Sequence, residues 1–173
     1  MRAFIFNSGS GTRMKPLTLD NPKALVYLHN FETILHRQIR ILRHVGVQEF
    51  VITTGPFASQ IEALAKTYPD LTFHFIANPE YATTNSIYSM YLAKDYLDQD
   101  CLMLHGDLVF SRSLIEKLIK DPRPDLACIN QQLPQPLKDF KGRMKNGLLQ
   151  QISVTIFDED CYAFQPLYKL SKA

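Results

Sequence analysis

The chain has 173 residues, of which 46% are hydrophobic, 21% charged and 11% aromatic. This is the length and composition of one globular domain with a core of its own. The formal net charge is only +2, and the Lys and Arg residues are scattered. That pattern argues against a large nucleic-acid surface, although it allows a small anionic ligand.

The cellular setting is inferred from the cysteines and from the N-terminal segment. Cys101, Cys128 and Cys161 lie far apart and form no CxxC pair, which predicts reduced structural thiols. The first apolar run is far too short for a signal peptide or a membrane span and turns straight into glycines. We therefore expect a cytoplasmic protein with no membrane span.

Strands and helices are predicted to alternate up to residue 131. Apolar patterning and turn residues place strands at 3–6, 49–54, 71–77, 101–104 and 126–131, and helices at 33–45, 56–68, 85–97 and 111–120. Further strands are predicted at 150–157 and 161–165. This alternation predicts a Rossmann-like, three-layer α/β/α fold with a mostly parallel, mixed sheet.

Small residues follow the first predicted strand, at the sheet edge where α/β proteins bind ligands. They leave backbone N–H groups open to a polyanion. Neither a GxGxxG nor a Walker A pattern is present, but Arg13 and Lys23 add two cations of the kind that a triphosphate needs. A plain turn stays the alternative for the glycines alone. The candidate nucleotide-binding residues of this loop are Asn7, Ser8, Gly9, Ser10, Gly11 and Thr12.

Two later segments bring polar side chains to the same edge. Asp107 follows the fourth predicted strand directly after Gly106, a further candidate nucleotide-binding residue. A carboxylate at this place is able to hold a divalent cation against phosphates. A lone Asp at such a place is otherwise a turn former or a helix cap. Asn85 or Ser86 is predicted to cap the helix that begins there, and a capping loop at this edge is also able to present polar groups to a base.

The glycine loop resembles a known signature. Gly9-Ser10-Gly11-Thr12-Arg13-Met14-Lys15-Pro16-Leu17-Thr18, followed by Asn21-Pro22-Lys23-Ala24-Leu25, is similar to the GxGTRM-x-PLT…PK loop of the sugar-phosphate and choline-phosphate nucleotidylyltransferases. The resemblance implies a GT-A-like nucleotidyltransferase fold. It also implies that Arg13 braces the β- and γ-phosphates, that Lys23 contacts the α-phosphate and the incoming phosphate, and that Asp107 is the magnesium ligand.

The nucleotide and the reaction follow from a second resemblance. The run from Asn78 to Ser86 is similar to the NPxYxxTN segment of the choline-phosphate cytidylyltransferase branch, which implies that Asn85 and Ser86 lie near cytosine and ribose. The resemblance therefore implies a magnesium-dependent enzyme that transfers CMP from CTP to a phosphorylated small molecule such as phosphocholine and releases pyrophosphate. The alternatives are a sugar-1-phosphate nucleotidylyltransferase using UTP or dTTP, and a truncated, non-catalytic nucleotide-binding protein.

The domain prediction is a single nucleotidyltransferase domain over residues 1–173. Residues up to about 131 would form the nucleotide-binding core, and residues from about 132 the start of the acceptor-binding part. Members of the resembled family continue well beyond this point, so the chain is expected to be short at its C-terminal end. In the family, the portion that follows usually supplies a second magnesium-binding Asp and often a homodimer contact.

Overall fold

The computed structural model describes residues 1–29 and 31–172. In this part of the chain, the strands are β1 (Arg2–Asn7), β2 (Glu49–Thr54), β3 (Thr72–Ala77), β4 (Cys101–His105), β5 (Leu126–Asn130), β6 (Lys141–Lys145), β7 (Leu148–Ser153) and β8 (Cys161–Leu170). The α-helices are α1 (Ile34–His44), α2 (Ala58–Ala65), α3 (Ser86–Leu92) and α4 (Arg112–Lys120). None of the helices in the described ranges is long and apolar enough to cross a bilayer.

The strands form one sheet in the order β3-β2-β1-β4-β8-β6-β7, with β5 paired to β8. Strands β3, β2, β1 and β4 run parallel to one another. Strand β8 is antiparallel to β4, β5 and β6, and β7 is antiparallel to β6. The predicted mixed sheet with a parallel core is confirmed. The parallel strands bring the loops after β1 and β4 to one edge, because these two strands are direct neighbours.

Helices cover both faces of the sheet, as the three-layer prediction requires. Alternate residues of β1 face opposite ways: Ile5 joins the core cluster formed with α1, α2 and α4. Phe4 joins a second cluster that includes Met90 of α3 and Ala93 just beyond it. Because successive side chains of a strand point to opposite faces, β1 contributes to a separate apolar layer on each face of the sheet.

Helix α1 shows why its boundaries were readable from sequence. The Thr33 side chain accepts a hydrogen bond from the backbone N–H of His36 at 3.3 Å and caps the first turn. The chain leaves the helix through Gly46, whose φ of 92° suits glycine. Apolar residues at helical spacing, among them Leu35 and Ile39, are fully buried between these two ends.

Helix α2 is shorter than predicted. It begins at Ala58 rather than Pro56 and ends at Ala65 rather than Tyr68. At its end, the Thr67 hydroxyl donates to the carbonyl oxygen of Leu64 at 2.7 Å, which competes with helical pairing. The following residue, Tyr68, precedes a proline, a position that disfavours helical backbone.

The C-terminal strands differ most from the prediction. Strand β6 was not predicted, because its sequence KGRMK lacks an apolar alternation. Strand β7 spans residues 148–153 instead of 150–157. Strand β8 continues to Leu170 instead of ending at Gln165. The strand continues through Pro166 because β5 pairs with Gln165 and then with Tyr168, across a register shift. The proline, which has no N–H, is therefore not required to donate a hydrogen bond to β5.

Candidate active site

A cavity of about 230 Å³ opens at the carboxyl edge of the parallel strands. It brings together predicted site residues from four separate segments of the chain: Asn7, Ser8, Gly9, Lys23, Asn85, Ser86 and Asp107. The remaining lining was not predicted from sequence and consists of Phe6, Thr53, Asn78, Tyr81, Thr84, Ser89 and His105. The glycine loop and the segment before α3 thus both contribute to the lining of the cavity.

An ion pair within the cavity lining joins Lys23 to Asp107. The Lys23 Nζ lies 3.0 Å from the Asp107 Oδ2. The side chains are 23% and 40% exposed, so both charges remain within reach of a ligand. One group suits an anion and the other suits a cation, which is the pair of functions that a metal-bound polyphosphate requires.

The glycine loop holds the Lys23 stem in place. The Thr18 hydroxyl donates to the carbonyl oxygen of Gly11 at 2.7 Å and closes the loop. Gly11 has a φ of 68°, and a Cβ atom there would lie 2.9 Å from the Lys23 Cγ. Glycine therefore serves both the left-handed backbone and the close passage of the lysine side chain.

The turn that carries Asp107 is held from two sides. On the β1 side, the Gly106 N–H donates to the carbonyl oxygen of Phe6 at 2.8 Å. On the α1 side, the Gln38 Nε2 donates to the carbonyl oxygens of His105 and Leu108, at 3.0 and 2.7 Å. Gln38 is only 1% exposed. Its amide therefore fixes the backbone on both sides of the carboxylate without reaching the cavity itself.

Gln38 was missed by sequence reasoning, although the sequence carried a signal. It lies three residues after Leu35 and four after Ile34, on the buried stripe of α1. A polar side chain on such a stripe needs a hydrogen-bonding partner, because burying an unpaired amide is costly. The sequence could not reveal its partners, because the carbonyl oxygens of His105 and Leu108 lie 67 and 70 residues further along the chain.

His105 lines the cavity beside the ion pair. Burial lowers the pKa of its imidazole; Asp107 opposes this shift, and Lys23 reinforces it. The ring packs edge-on against Phe6, with centroids 5.6 Å apart. His105 is therefore neutral at neutral pH and adds no positive charge to the site.

The segment before α3 begins the helix as predicted. The Asn85 side chain accepts hydrogen bonds from the N–H groups of Ile87 and Tyr88, at 3.0 and 3.4 Å. The N-cap prediction is confirmed at Asn85. Asn85 and Ser86 also line the cavity, and their contact with the base and ribose remains a prediction.

Five of the predicted site residues do not line the cavity: Arg13, Ser10, Gly11, Thr12 and Gly106. The Arg13 side chain is 76% exposed, and its guanidinium lies 3.8 Å from the Asp139 carboxylate. Residues 12–14 form a 3₁₀ turn with no buried member, which directs this arginine outward. Its contact with the β- and γ-phosphates remains a prediction.

The sequence profile of the MobA-like NTP transferase domain matches residues 3–155. The chain belongs to this family. That range contains all the residues that line the cavity. The assignment agrees with the nucleotidyltransferase resemblance of the glycine loop.

Two relatives of this NTP transferase domain have names that refer to CMP or to cytidylyl transfer. The chain is similar to CMP-5'-(3-aminopropyl)phosphonate synthase of Streptomyces rubellomurinus, with 32% identity over 143 residues, covering 82% of this chain and 22% of that protein. It is also similar to choline-phosphate cytidylyltransferase of Haemophilus influenzae, with 37% identity over 114 residues, covering 66% of this chain and 47% of that protein. The chain thus spans less than half the length of either relative.

A solved structure shows the same fold. The inositol-1-phosphate CTP transferase of T. maritima superposes with a TM-score of 0.80 at 20% identity, covering 99% of this chain and 70% of that one. The predicted nucleotidyltransferase fold is therefore confirmed for this NTP transferase domain.

Proposed function

We propose that this chain is a cytidylyltransferase that transfers CMP from CTP to a small phosphorylated or phosphonate acceptor and releases pyrophosphate. The observation that carries the proposal is the cavity, because its lining combines the Lys23–Asp107 pair with residues of the glycine loop and of the segment around Asn85. Relatives named for CMP and choline-phosphate chemistry support cytosine as the base. The acceptor class rests on the phosphonate and phosphate groups in those same names.

The cavity offers separate places for the two ends of the nucleotide. Asn85, Ser86 and Tyr81 line it, and their polar groups and aromatic ring are a combination that suits a base and a ribose. We assign the phosphates to Ser8, Gly9 and the amine of Lys23, which also line the cavity. CTP would therefore lie across the ends of β1 and β4, with its α-phosphate near Lys23.

Asp107 fits a magnesium ion that is shared with the nucleotide. Within residues 1–29 and 31–172, no group of three or more His, Cys, Asp or Glu side chains could hold a metal alone. Magnesium commonly takes one or two carboxylates and completes its shell with waters and substrate phosphates. A single, 40% exposed carboxylate beside a phosphate-binding loop meets that description. When bound, the ion would neutralise charge on the phosphates and polarise their oxygens.

The reaction needs two anions to approach each other. An oxygen of the acceptor phosphate forms a bond to the α-phosphorus, and the bond from that phosphorus to the bridging oxygen of the β-phosphate breaks, so pyrophosphate leaves with the electron pair. Lys23 would hold the acceptor phosphate and the α-phosphate together, which is a matter of position and charge rather than covalent chemistry. We assign Arg13 to the leaving pyrophosphate, since its exposed ion pair at 3.8 Å is weak and leaves the side chain free to turn inward.

The acceptor is expected to be small and polar. Choline phosphate, an aminoalkylphosphonate and inositol 1-phosphate, the compounds in the relatives' names, share one anionic phosphorus group on a small polar body. We include phosphocholine as the first acceptor to test. We also propose that residues from about 132 onward begin the acceptor-binding part, because β6 to β8 continue the sheet beside β4.

The proposal is tested by measuring pyrophosphate release with magnesium, one nucleotide and one acceptor at a time. CTP, UTP and dTTP would each be combined with phosphocholine, 3-aminopropylphosphonate, inositol 1-phosphate and glucose 1-phosphate, and Asp107→Asn would serve as the inactive control. We expect release that depends on CTP and on one acceptor. Release with UTP or dTTP and glucose 1-phosphate would instead identify a sugar nucleotidylyltransferase. CTP binding without release would identify a nucleotide-binding protein that does not catalyse transfer.

A further inference from the structure

We propose that Asn78 is a positioning residue that ties the two walls of the cavity together and thereby sets the preference for a pyrimidine base. This inference rests on the nucleotide site proposed above. Asn78 follows β3 immediately and is only 3% exposed. The two walls meant here are the glycine loop at Ser8 and the segment that precedes α3 at Thr84, both of which line the cavity.

The Asn78 side-chain amide joins the segment before α3 to α3 itself. Its Nδ2 donates to the Thr84 Oγ1 on one side and to the Ser89 Oγ on the other, both at 3.0 Å. Its Oδ1 accepts from the backbone N–H of Glu80 at 2.9 Å. All the polar atoms of this side chain are therefore engaged.

The link reaches the glycine loop through Ser89. The Ser89 hydroxyl donates to the Ser8 Oγ at 3.2 Å, across 81 residues of sequence. Ser8 and Ser89 are 8% and 2% exposed, so the contact is shielded from water. A continuous chain of hydrogen bonds thus runs from Ser8 through Ser89 and Asn78 to Thr84, which adjoins Asn85.

The direction of these hydrogen bonds explains why an amide is required. The Thr84 hydroxyl already donates to the carbonyl oxygen of Glu80 at 2.7 Å, and the Ser89 hydroxyl already donates to Ser8. Both hydroxyl oxygens therefore need a donor from elsewhere, and the two N–H bonds of Asn78 supply one to each. An aspartate has the same shape but would place a carboxylate oxygen, which only accepts, against the Thr84 and Ser89 hydroxyls. Neither hydroxyl has a proton left to donate to it, because each already donates elsewhere.

The width of the cavity follows from this arrangement. Ser8 belongs to the loop assigned above to the phosphates and Thr84 to the segment assigned to the base, and both residues line the cavity. If the amide is removed, two buried hydroxyls lose their donors and the walls are no longer held at a fixed separation. A looser cavity discriminates less against a purine base, because base selectivity is the difference between the free energies of binding CTP and ATP.

The test compares binding of magnesium–CTP and magnesium–ATP by titration calorimetry, without any acceptor. We expect Asn78→Ala and Asn78→Asp to weaken CTP binding about tenfold, the effect of losing one or two buried hydrogen bonds. ATP binding should weaken much less, so that the CTP-to-ATP preference narrows. Asn130→Ala is the matched control, because the Asn130 Oδ1 also accepts from a backbone N–H two residues on, at 2.9 Å, outside the cavity lining. It should leave the preference unchanged.

A second variant keeps the test decisive if Asn78→Ala folds poorly. Ser89→Ala removes the hydroxyl that joins Asn78 to Ser8 and leaves the hydrogen bond between Asn78 and Thr84 in place. It should narrow the CTP-to-ATP preference in the same direction. In an Asn78→Ala background it should add little, because the two residues act through one network. Equal weakening of CTP and ATP in these variants would show a purely structural role and overturn the inference. Equal binding of both nucleotides by the wild-type chain would overturn the proposed function, and the role of Asn78 with it.

Discussion

Lys23 and Asp107 are 84 residues apart in sequence, yet the Lys23 Nζ lies 3.0 Å from the Asp107 Oδ2. The lysine comes from the segment after β1 and the carboxylate from the turn after β4, and these strands are paired in parallel. Each of the two charges is thus balanced by the other. Binding a metal and a polyphosphate would exchange this pair for a metal–carboxylate contact and a lysine–phosphate contact.

Replacing Lys23 with alanine should reduce turnover far more than nucleotide affinity. The amine is assigned to the acceptor phosphate and the α-phosphate, whose repulsion is greatest as they approach, so its effect falls mainly on the transition state. We expect kcat to fall by about 100-fold or more, a loss typical of one electrostatic contact in a transition state. Steady-state kinetics together with CTP calorimetry measure the two effects separately. Lys66→Ala, at an exposed lysine after α2, is the control, and near-normal turnover in Lys23→Ala would refute this role.

Replacing Asp107 with asparagine should weaken metal binding specifically. The amide preserves the shape of the side chain but removes the negative charge that magnesium prefers. The readout is the binding of manganese, used as a magnesium substitute, to the protein–CTP complex, followed by electron paramagnetic resonance. We expect manganese affinity to fall by about tenfold or more, the scale of losing one charged contact. Asp95→Asn, at an exposed carboxylate outside the cavity lining, should bind manganese like the wild type; an unchanged affinity in Asp107→Asn would place the metal elsewhere.

Replacing Gln38 with leucine should disturb the Asp107 turn without touching the cavity. The change leaves the carbonyl oxygens of His105 and Leu108 without their buried donor. The free energy of unfolding should fall by about 1–3 kcal/mol, measured by urea denaturation. Manganese affinity should fall as well, at temperatures where the variant is fully folded. Gln60→Leu removes an exposed amide that donates to the Asp20 carbonyl oxygen at 2.8 Å and should do neither. Reduced stability with normal metal affinity would mean that Gln38 only supports the fold.

The depressed pKa of His105 predicts acid sensitivity. Burial lowers this pKa from its ordinary value of 6.5, so the unfolded chain binds a proton at a pH where the folded chain does not. The stability contribution is therefore complete above about pH 6.5 and is lost as the pH falls toward the folded-state pKa. We would measure the free energy of unfolding by urea denaturation at several pH values. Between pH 7 and 5 it should fall less in His105→Gln than in the wild type. An NMR titration that places the His105 pKa at or above 6.5 would contradict this prediction.

Much of the parallel half of the molecule was predictable because its signals are local. The strands from β1 to β4 are short apolar runs closed by turn residues, and helix α1 has a threonine cap, an apolar stripe and a final glycine. The parallel arrangement then places the loops after β1 and β4 at one edge. For this reason Asn7, Lys23 and Asp107 could be assigned to a common site from sequence alone, and the cavity lining includes all three.

The antiparallel half depends on contacts that no local pattern reveals. Strand β8 inserts between β4 and β6 in the sheet although it comes last in the chain. Lys141 begins β6 as a fully buried side chain whose Nζ donates to the carbonyl oxygens of Pro136, Asp139 and Val154, at 2.7, 3.1 and 2.8 Å. A lysine is ordinarily taken as exposed, and only the folded loops around it show why this one is not.

The most direct test of the proposed function follows the phosphorus atoms of CTP. The chain would be incubated with magnesium, phosphocholine or another acceptor from the panel above, and CTP labelled with ³²P at either the α- or the γ-position. Nucleotidyl transfer predicts that the α-label appears in a conjugate of CMP and acceptor, while the γ-label leaves entirely as pyrophosphate. Transfer of the γ-label to the acceptor, or release of the γ-label as free phosphate, would contradict the proposed function.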